Sequence, residues 1–406
     1  MKLLPLLLAL AAPAALSAAD QLVVTVTHDL AVARPAETIS VPWADVNRAL
    51  PHAMMYHLAV KDAAGHVLPY QVTNINPTAK DPQRDGGAYG ELLFQHDFAP
   101  GEKSATFTVE KIAANAPLFP TKVFARYVPE RLDDFAWEND KVAHRIYGPA
   151  LAAPAAPGSG KEVLVTSGVD LWVKRVSYPV VDRWYNKGHD YYHHFDLGEG
   201  ADLYNVGTTR GCGGTGIWDG HELAIGRNYR TWTVLANGPV RAIFELTYDA
   251  WDAHGRQIAE TKRFTVDAGH YLDQIDSTFT VTGDSTAPLT VAIGLNKTPS
   301  DKGEDPTVTL TQDADTGVLA QWLAQKIHGG MATGIIVPPG DFAGFAEDAR
   351  NLLVLAHAKP GAPLRYYVGG AWSEAGEITD AAAWKSYLTA ESARLASPVR
   401  VALSTR

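Results

Sequence analysis

The chain has 406 residues, a formal net charge of −10 and a single cysteine, Cys212. The negative charge argues against nucleic acid and anionic membrane surfaces as partners, and one cysteine excludes an intramolecular disulfide. A chain of this length buries enough surface to fold without one, as one large domain or two.

The first 19 residues have the pattern of a signal peptide. Lys2 is followed by an apolar run over residues 3–16 and by small residues at positions 17–19. A membrane-spanning helix is the alternative, but it needs about 20 apolar residues, and two prolines interrupt this run. We expect cleavage before Asp20, no lipid or membrane anchor, and a periplasmic or secreted location.

Residues 20–112 contain short runs rich in β-branched residues and separated by turn residues, which predicts hairpins. The predicted strands cover residues 22–27, 57–61, 67–72, 91–94 and 104–109. No cluster of catalytic residue types occurs among them. This segment is therefore predicted to be a small N-terminal β-sandwich module.

Longer strand candidates follow residue 121, after a linker rich in Pro and Ala over residues 113–120. They cover residues 162–169, 171–176, 240–248, 257–266, 271–281, 289–295, 352–357 and 364–368. One helix is predicted over residues 380–395, with Thr379 or Asp380 as its N-cap. Many strands and few helices predict an all-β fold of stacked antiparallel sheets, with residues 121–406 as the second domain.

The segment between Lys122 and Arg241 differs in composition from the rest of the chain. It holds 14 Lys and Arg against 14 Asp and Glu, so the negative excess lies elsewhere, and it holds five of the ten Trp and eight of the 16 Tyr. A charge-balanced stretch that is rich in aromatic residues favours a ligand site over a solvated face.

The first cluster of candidate residues lies at positions 130–149, where aromatic residues alternate with carboxylates. Such a charge cluster is often only a solvated turn. In a strand, Trp137, Asn139 and Lys141 would face one side, with Glu138 and Asp140 on the other. Carboxylates beside an aromatic surface are how proteins usually hold a sugar ring, since the apolar face of the ring stacks and its hydroxyls bond the acid oxygens. The candidate substrate-binding residues here are Trp137, Glu138, Asn139, Asp140 and Arg145.

The second cluster, at positions 183–218, is denser in polar and aromatic residues than a core strand. The glycines that follow Arg210 allow close approach of the backbone or positive φ angles, and loops of this kind often carry function. The candidate catalytic residues are His193, His194, Tyr204 and Arg210. The candidate substrate-binding residues are Trp184, Asn186, Tyr192, Asp196, Asn205 and Trp218.

A metal site in this cluster would use His189, His193, His194 and Asp196. In a strand, His193 and His194 point to opposite faces, and the spacing of His189 and His193 suits a helix, which Gly188 and the aromatic run disfavour. No HExxH or paired-cysteine spacing occurs. No cofactor is therefore predicted, and a divalent metal ion stays open as an alternative.

Other nucleophile and phosphate motifs do not occur in the sequence. There is no Gly-x-Ser-x-Gly elbow, and the glycine-rich run at 211–216 lacks the Lys-Ser/Thr of a phosphate loop. Cys212 between glycines is more typical of a small buried residue than of a reactive thiolate.

Two carbohydrate chemistries fit the remaining residues. Hydrolysis needs two carboxyl groups beside the scissile bond, which Glu138 or Asp140 could supply with Asp196 or Asp202. β-Elimination from a uronic acid needs a group that neutralises the substrate carboxylate, a base and an acid. Residue types for that set are Asn186, His193, His194, Tyr204, Asn205 and Arg210.

Three strings stand out: Trp137-Glu138-Asn139-Asp140 with Arg145-Ile146-Tyr147-Gly148-Pro149, Tyr192-His193-His194-Phe195-Asp196 with Arg210-Gly211-Cys212-Gly213-Gly214, and Tyr366-Tyr367-Val368-Gly369-Gly370-Ala371-Trp372-Ser373. They resemble a bacterial family catalogued as a domain of unknown function and often encoded beside pectin- and uronate-degrading enzymes. The resemblance covers residues 25–400. It implies a galactose-mutarotase-like β-supersandwich and a role in glycan breakdown, and it brings no catalytic residues.

Together these observations predict an exported carbohydrate-active enzyme that degrades acidic, uronic-acid-containing oligo- or polysaccharides, with β-elimination favoured over hydrolysis. A sugar epimerase or mutarotase is the alternative enzyme. A non-catalytic glycan-binding protein is a further alternative. It would need the Trp surfaces but not the concentration of His, Tyr and Arg around them.

Overall fold

The computed structural model describes residues 21–73, 89–283, 286–300 and 303–406. The predicted signal peptide lies outside the described residues. Within them the chain is built from antiparallel strands with few helices, so the predicted all-β fold is confirmed. No helix of the described part is long and apolar enough to cross a membrane.

The strands are β1 (Gln21–Thr27), β2 (Arg34–Pro42), β3 (Leu58–Lys61), β4 (Tyr70–Thr73), β5 (Glu91–Phe98), β6 (Ser104–Lys111), β7 (Phe124–Val128), β8 (Asp134–Glu138), β9 (Val142–Ile146), β10 (Val169–Lys174), β11 (Gly200–Asp202), β12 (Cys212–Trp218), β13 (Leu223–Ala224), β14 (Thr231–Ala236), β15 (Arg241–Ala253), β16 (Arg256–Asp267), β17 (Leu272–Val281), β18 (Leu289–Asn296), β19 (Thr307–Asp313), β20 (Val318–Ala324), β21 (Gly330–Ile336), β22 (Phe342–Glu347), β23 (Asn351–Ala358), β24 (Pro363–Trp372) and β25 (Arg400–Thr405). The helices are α1 (Trp43–Ala49), α2 (Pro149–Ala152), α3 (Val181–Lys187), α4 (His189–Tyr192) and α5 (Ala381–Ala396).

The N-terminal strands form a small sandwich of two sheets, with strand orders β25-β1-β6-β3 and β2-β5-β4. Alternating apolar residues such as Val24, Ile39 and Phe107 fill its core. The chain's last strand completes this sandwich, because β25 pairs antiparallel with β1, Leu403 opposite Val24. The second predicted domain, residues 121–406, thus contributes its final strand to the first.

The large sandwich has an eight-stranded sheet, β14-β15-β16-β17-β24-β21-β20-β19, as one layer. Two five-stranded sheets, β11-β10-β9-β8-β7 and β13-β12-β18-β23-β22, share one core with it. Trp137 of β8, for example, packs on Phe244 and Phe264 of the eight-stranded sheet, with ring centroids 5.1 and 5.0 Å away. The arrangement matches the stacked antiparallel layers expected from the sequence.

Helices cover the outer faces of the large sandwich. Helix α5 packs Trp384 and Leu388 on the eight-stranded sheet, and its predicted N-cap is confirmed, since Asp380 Oδ1 accepts from the Ala383 amide at 2.8 Å. Helices α3 and α4 pack Trp184 and Tyr192 against Trp172 on the outer face of the β7–β11 sheet.

Three local predictions differ from the structure. Residues 162–168 are irregular, and the strand there begins only at Val169. No strand was predicted at the positions of β2, β7 to β9, β11 to β14, β19 to β22 and β25, and β12 occupies the glycine-rich segment after Arg210 that was expected to be a loop. A helix does form at residues 189–192, because Gly188, at φ 90°, ends α3 and lets α4 begin directly after it.

Candidate functional site

A cavity of about 440 Å³ lies beside the outer face of the β7–β11 sheet, at the end that α3 and α4 leave uncovered. Its walls come from the loop before β8, from β9, from α4 and from the segment that follows β11. The lining residues are Arg131, Arg145, Tyr147, Glu162, Leu164, His189, His193, His194, Asp202, Leu203, Tyr204, Asn205, Val206 and Gly207.

Side chains alternate between the two faces along β9, β10 and β11, and this alternation brings charged residues together on the outer face. Val142, Ile146, Val169 and Leu171 point into the core, so Arg145 and its cross-strand partner Asp170 point outward. Asp202 ends the neighbouring strand β11. The period of two thus puts Arg145 of β9, Asp170 of β10 and Asp202 of β11 on one face, and the Arg145 side chain reaches both carboxylates to form a buried Asp–Arg–Asp row.

Arg145 is the centre of this row and is only 2% exposed. Its Nε and Nη2 donate to Asp170 Oδ2 at 2.9 and 2.5 Å, and Nη2 also donates to Asp202 Oδ2 at 2.9 Å. Its guanidinium lies over the rings of Tyr147 and Trp172. The buried Nη1 has no hydrogen-bond partner among the described residues. Arg145 therefore keeps one unused donor beside the cavity.

The two carboxyl groups beside Arg145 differ in their acidity. Burial and the neighbouring Asp202 raise the pKa of Asp170 to about 7, although Arg145 opposes this shift. Burial alone would also raise the pKa of Asp202, but the charge of Arg145 and the bond to His193 outweigh it and lower that pKa. Asp202 is therefore the ionised member of the pair at neutral pH.

Asp202 also orients His193. His193 Nδ1 lies 3.1 Å from Asp202 Oδ2, and the backbone of His193 bridges to the same residue. A carboxylate can only accept, so Nδ1 carries the hydrogen, and in the neutral form of the ring Nε2 is the nitrogen with the lone pair. This is the arrangement by which a carboxylate prepares an imidazole to take a proton.

Tyr204 is the second polar group of the cavity with an unused atom. It is 4% exposed, and its hydroxyl has no side-chain hydrogen-bond partner among the described residues, although the Asn296 backbone interacts with it. Burial raises its pKa well above the ordinary value. The hydroxyl therefore stays protonated at neutral pH and can donate a proton or a hydrogen bond.

Arg131 and Glu162 form the opposite, more open wall. Arg131 Nη2 donates to Glu162 at 3.2 Å, and Nε lies 3.7 Å from Asp134 Oδ2. Burial raises the pKa of Asp134 to about 6, although Arg145 and Arg131 lower it. This wall supplies a second guanidinium at the cavity.

Three imidazoles lie side by side at the cavity, with their ring planes tilted against one another. The ring of His193 lies 4.1 Å from that of His189 and 3.7 Å from that of His194. The prediction that His193 and His194 face opposite sides is wrong, because His194 takes φ 69° instead of a strand conformation. Burial, and then the neighbouring His193, lower the pKa of His189. No group of three His, Cys, Asp or Glu in the described ranges has the geometry to hold a metal ion.

Five predicted site residues meet at this cavity: Arg145, His193, His194, Tyr204 and Asn205. Four residues of the first cluster lie elsewhere. Trp137 is a core residue whose Nε1 donates to Asp273 at 2.7 Å, and Glu138 accepts from Lys174 Nζ at 2.6 Å and from the start of α3. Asn139 and Asp140 form the β8–β9 turn and bind backbone groups.

The remaining predicted binding residues also lie outside the cavity. Trp184 and Tyr192 stack on each other beneath the helices, 5.7 Å between centroids. Asn186 is exposed on α3. Asp196 accepts from the amides of a turn, and Trp218 ends β12. None of the three predicted tryptophans, Trp137, Trp184 and Trp218, therefore lines this cavity.

Arg210 and Cys212 are both fully buried. The glycine after Arg210 does adopt a positive φ, 59°, and a Cβ there would lie 2.0 Å from the Val169 carbonyl oxygen. Burial raises the pKa of the Cys212 thiol, which agrees with its predicted inert role. Arg210 lines a different cavity from His193.

Sequence reasoning missed Arg131, Tyr147, Glu162 and the partner Asp170. The one usable signal was Asp170, a lone carboxylate in the apolar strand Val169-Asp170-Leu171-Trp172-Val173, because a buried charge in such a strand needs a partner. Glu162 lies in a segment read as a strand, and only the tertiary fold brings it to the cavity.

The chain is similar in sequence to a protein family and to a curated protein. Residues 26–401 match the family described as "Domain of unknown function (DUF4861)". "Uncharacterized protein P7" of Formosa agariphila is 30% identical over 392 residues, covering 94% of this chain and 93% of that protein.

Two solved structures from Enterococcus faecalis are also similar. One is an alpha-mannosidase, with a TM-score of 0.48, 9% identity, and coverage of 95% of this chain and 46% of that chain. The other is a protein in glycosyl hydrolase family 38, with a TM-score of 0.47, 9% identity, and coverage of 95% and 48%. The chain spans about half the length of these structures.

Proposed function

The chain belongs to the family described as a domain of unknown function, DUF4861, and from its cavity we propose that it is a carbohydrate-active enzyme. We infer that it cleaves uronic-acid-containing oligo- or polysaccharides such as pectin by β-elimination. The observation that carries this proposal is the meeting of Arg145, the Asp202–His193 pair and Tyr204 in one cavity.

Each of these residues supplies one part of an elimination. The unpartnered Nη1 of Arg145 and the guanidinium of Arg131 would bind the substrate carboxylate, which makes the neighbouring C5 proton more acidic. His193 Nε2, with Asp202 on its other nitrogen, is the base that removes this proton. The electron pair forms the C4–C5 double bond while the C4–O4 bond breaks, and Tyr204 donates its proton to O4.

Hydrolysis is the second candidate, because two carboxylates, Glu162 and Asp202, line the same cavity. Paired carboxylates are the usual machinery of glycoside hydrolysis. It ranks second since Asp202 Oδ2 is already engaged by Arg145 and His193. The side chain of Glu162 is also 57% exposed, whereas a general acid needs burial to raise its pKa.

Substitutions of the proposed acid and base test this function. We expect Tyr204→Phe and His193→Gln each to lower kcat on a uronic-acid glycan by roughly a hundredfold or more, with unchanged thermal unfolding. Tyr56→Phe, at a tyrosine that is 63% exposed in the first sandwich, is the matched control and should keep wild-type turnover. Full activity in both cavity variants would refute the assignment.

A further inference from the structure

Arg210 lies on the outer face of the sheet that contains β12 and β18, and its side chain is completely buried. The neighbouring strand leaves room for it at Gly294, where a Cβ would come within 2.7 Å of Arg210 Cβ and Cγ. Arg210 lines a cavity of about 270 Å³ whose rim includes Thr208, His221 and Arg350. The fold therefore holds a guanidinium in place at a second cavity, away from His193.

The donors of this guanidinium are only partly used. Nη1 donates to Ser167 Oγ at 2.8 Å and to the Thr215 carbonyl at 3.3 Å. Nε and Nη2 are buried and have no hydrogen-bond partner among the described residues. Asp348 also lines the cavity, but its carboxylate accepts from the amides of Arg350 and Asn351 and from the Asn351 side chain.

Two other arginines of the chain show what the Nε–Nη2 edge of a guanidinium binds. The Nε and Nη2 atoms of one guanidinium point to the same side and together hold a carboxylate in a bidentate pair. Arg34 holds Glu37 in this way at 3.0 and 3.1 Å, and Arg241 holds Asp267 at 2.5 and 2.7 Å. In Arg210 the same edge has no hydrogen-bonding carboxylate among the described residues.

A buried cation without an ion-pair partner is costly, because its charge has lost its water and has gained no directly bonded anion. Consistent with this, burial lowers the pKa of Arg210 to about 10, although Glu260 and Tyr248 oppose the shift. A bound anion would remove this cost. It would also use both free donors at once.

We propose that the Arg210 cavity is a second binding site, which holds a carboxylate or small oxyanion side-on through Nε and Nη2. Two sources share this chemistry: the carboxylate of a sugar acid and a free inorganic oxyanion. The inference does not rest on the proposed function, since it concerns a different cavity and different residues. It separates Arg210 from His193, with which Arg210 was grouped as a candidate catalytic residue.

Calorimetric titration of the full chain at constant ionic strength tests the site, with glucuronate, sulfate and neutral glucose as ligands. We expect saturable binding of glucuronate or sulfate and none of glucose. Binding of glucuronate alone would identify a sugar acid as the source, and binding of both would identify oxyanions in general. Loss of this binding in Arg210→Lys distinguishes the site from the first cavity, because Arg145 and Arg131, which line that cavity, are unchanged in the variant.

Arg210→Lys keeps the charge but removes the bidentate edge, and it should weaken binding roughly tenfold or more. Arg230→Lys, at an arginine whose side chain is 64% exposed, is the matched control. If Arg210→Lys does not fold, the proposal is tested with a wild-type crystal soaked in selenate. We then expect an anomalous peak beside Nε and Nη2 of Arg210. Unchanged affinity in Arg210→Lys, no saturable binding to the wild type, or no such peak would overturn the proposal.

Discussion

Asp273 and His144 form a buried pair between the two layers of the large sandwich. Trp137 Nε1 donates to Asp273 Oδ2 at 2.7 Å, and His144 Nε2 lies 3.7 Å from the same oxygen. Burial raises the pKa of Asp273 to about 7, although the Trp137 bond lowers it, and burial lowers the pKa of His144 to about 4. Near pH 5 both groups are therefore neutral in the folded chain.

This pair gives a pH-dependent prediction at the scale of single residues. Because the folded pKa of Asp273 is raised, its contribution to stability is full below the unfolded value of 3.8 and is lost as pH rises to about 7. His144 has a lowered pKa, so its contribution is full above 6.5 and is lost as pH falls to about 4. Asp273→Asn removes only the first effect, since its side chain stays neutral and keeps an acceptor for Trp137.

The measurement is the free energy of unfolding in urea at pH 5 and pH 8, for wild type and Asp273→Asn. From pH 5 to pH 8 the wild type should lose stability relative to the variant, by an amount on the order of 1–4 kcal/mol. Parallel pH dependences in the two proteins would contradict the raised pKa of Asp273.

At the scale of single residues, the sequence indicated which residue types belong to the candidate site better than it indicated where each residue lies in the fold. His193, His194, Tyr204 and Asn205 were found because a dense polar and aromatic run is unusual for a core strand, and the fold does bring them to one cavity. Trp137 has the same kind of neighbours but is fully buried. Which face of a strand another layer covers is a tertiary property, and alternation alone does not reveal it.

Among the elements, helix α5 offers the most direct test of a local sequence signal. Asp380 caps it by accepting from the Ala383 amide at 2.8 Å, and the helix packs Trp384 on the eight-stranded sheet. Asp380→Ala should lower the free energy of unfolding by about 1 kcal/mol, measured by urea denaturation. Thr379→Ala, at the exposed residue just outside the helix, is the control, and an equal loss in both variants would argue against capping.

Strands were predictable where an alternating or apolar run is bounded by turn residues, as in β15, β16 and β17. The misses have physical reasons. β19 is almost entirely exposed and carries little apolar signal, and β20 and β21 are buried at nearly every position, so they do not alternate. The pairing of β25 with β1 joins opposite ends of the chain, and no local pattern encodes such a contact.

For the whole molecule, we propose export, because the first 19 residues have a positively charged start, an apolar run and small residues before Asp20. Expression of the full chain in a Gram-negative host should give a periplasmic or extracellular product that begins at Asp20. N-terminal sequencing of that fraction checks this prediction. Material that keeps Met1, or that stays in the cytoplasm, would contradict it.

The layers and the site of the whole molecule depend on contacts between distant segments. The cavity combines Arg131, Arg145, His193 and Tyr204, and Arg145 is positioned by cross-strand partners 25 and 57 residues further along the chain. The sequence therefore predicted an all-β fold, and the segment that it singled out lines the cavity. It did not predict the Asp–Arg–Asp row, which exists only after three strands have paired.

The most direct test of the central proposal is the product formed from a uronic-acid glycan. Elimination creates a C4–C5 double bond conjugated with the carboxylate, which absorbs ultraviolet light, whereas hydrolysis creates a new reducing end without it. We predict ultraviolet absorbance that grows with time on one or more uronic-acid glycans, is absent on neutral glycans, and falls roughly a hundredfold in rate in Tyr204→Phe. New reducing ends without that absorbance, or no product from any uronic-acid glycan, would contradict the account.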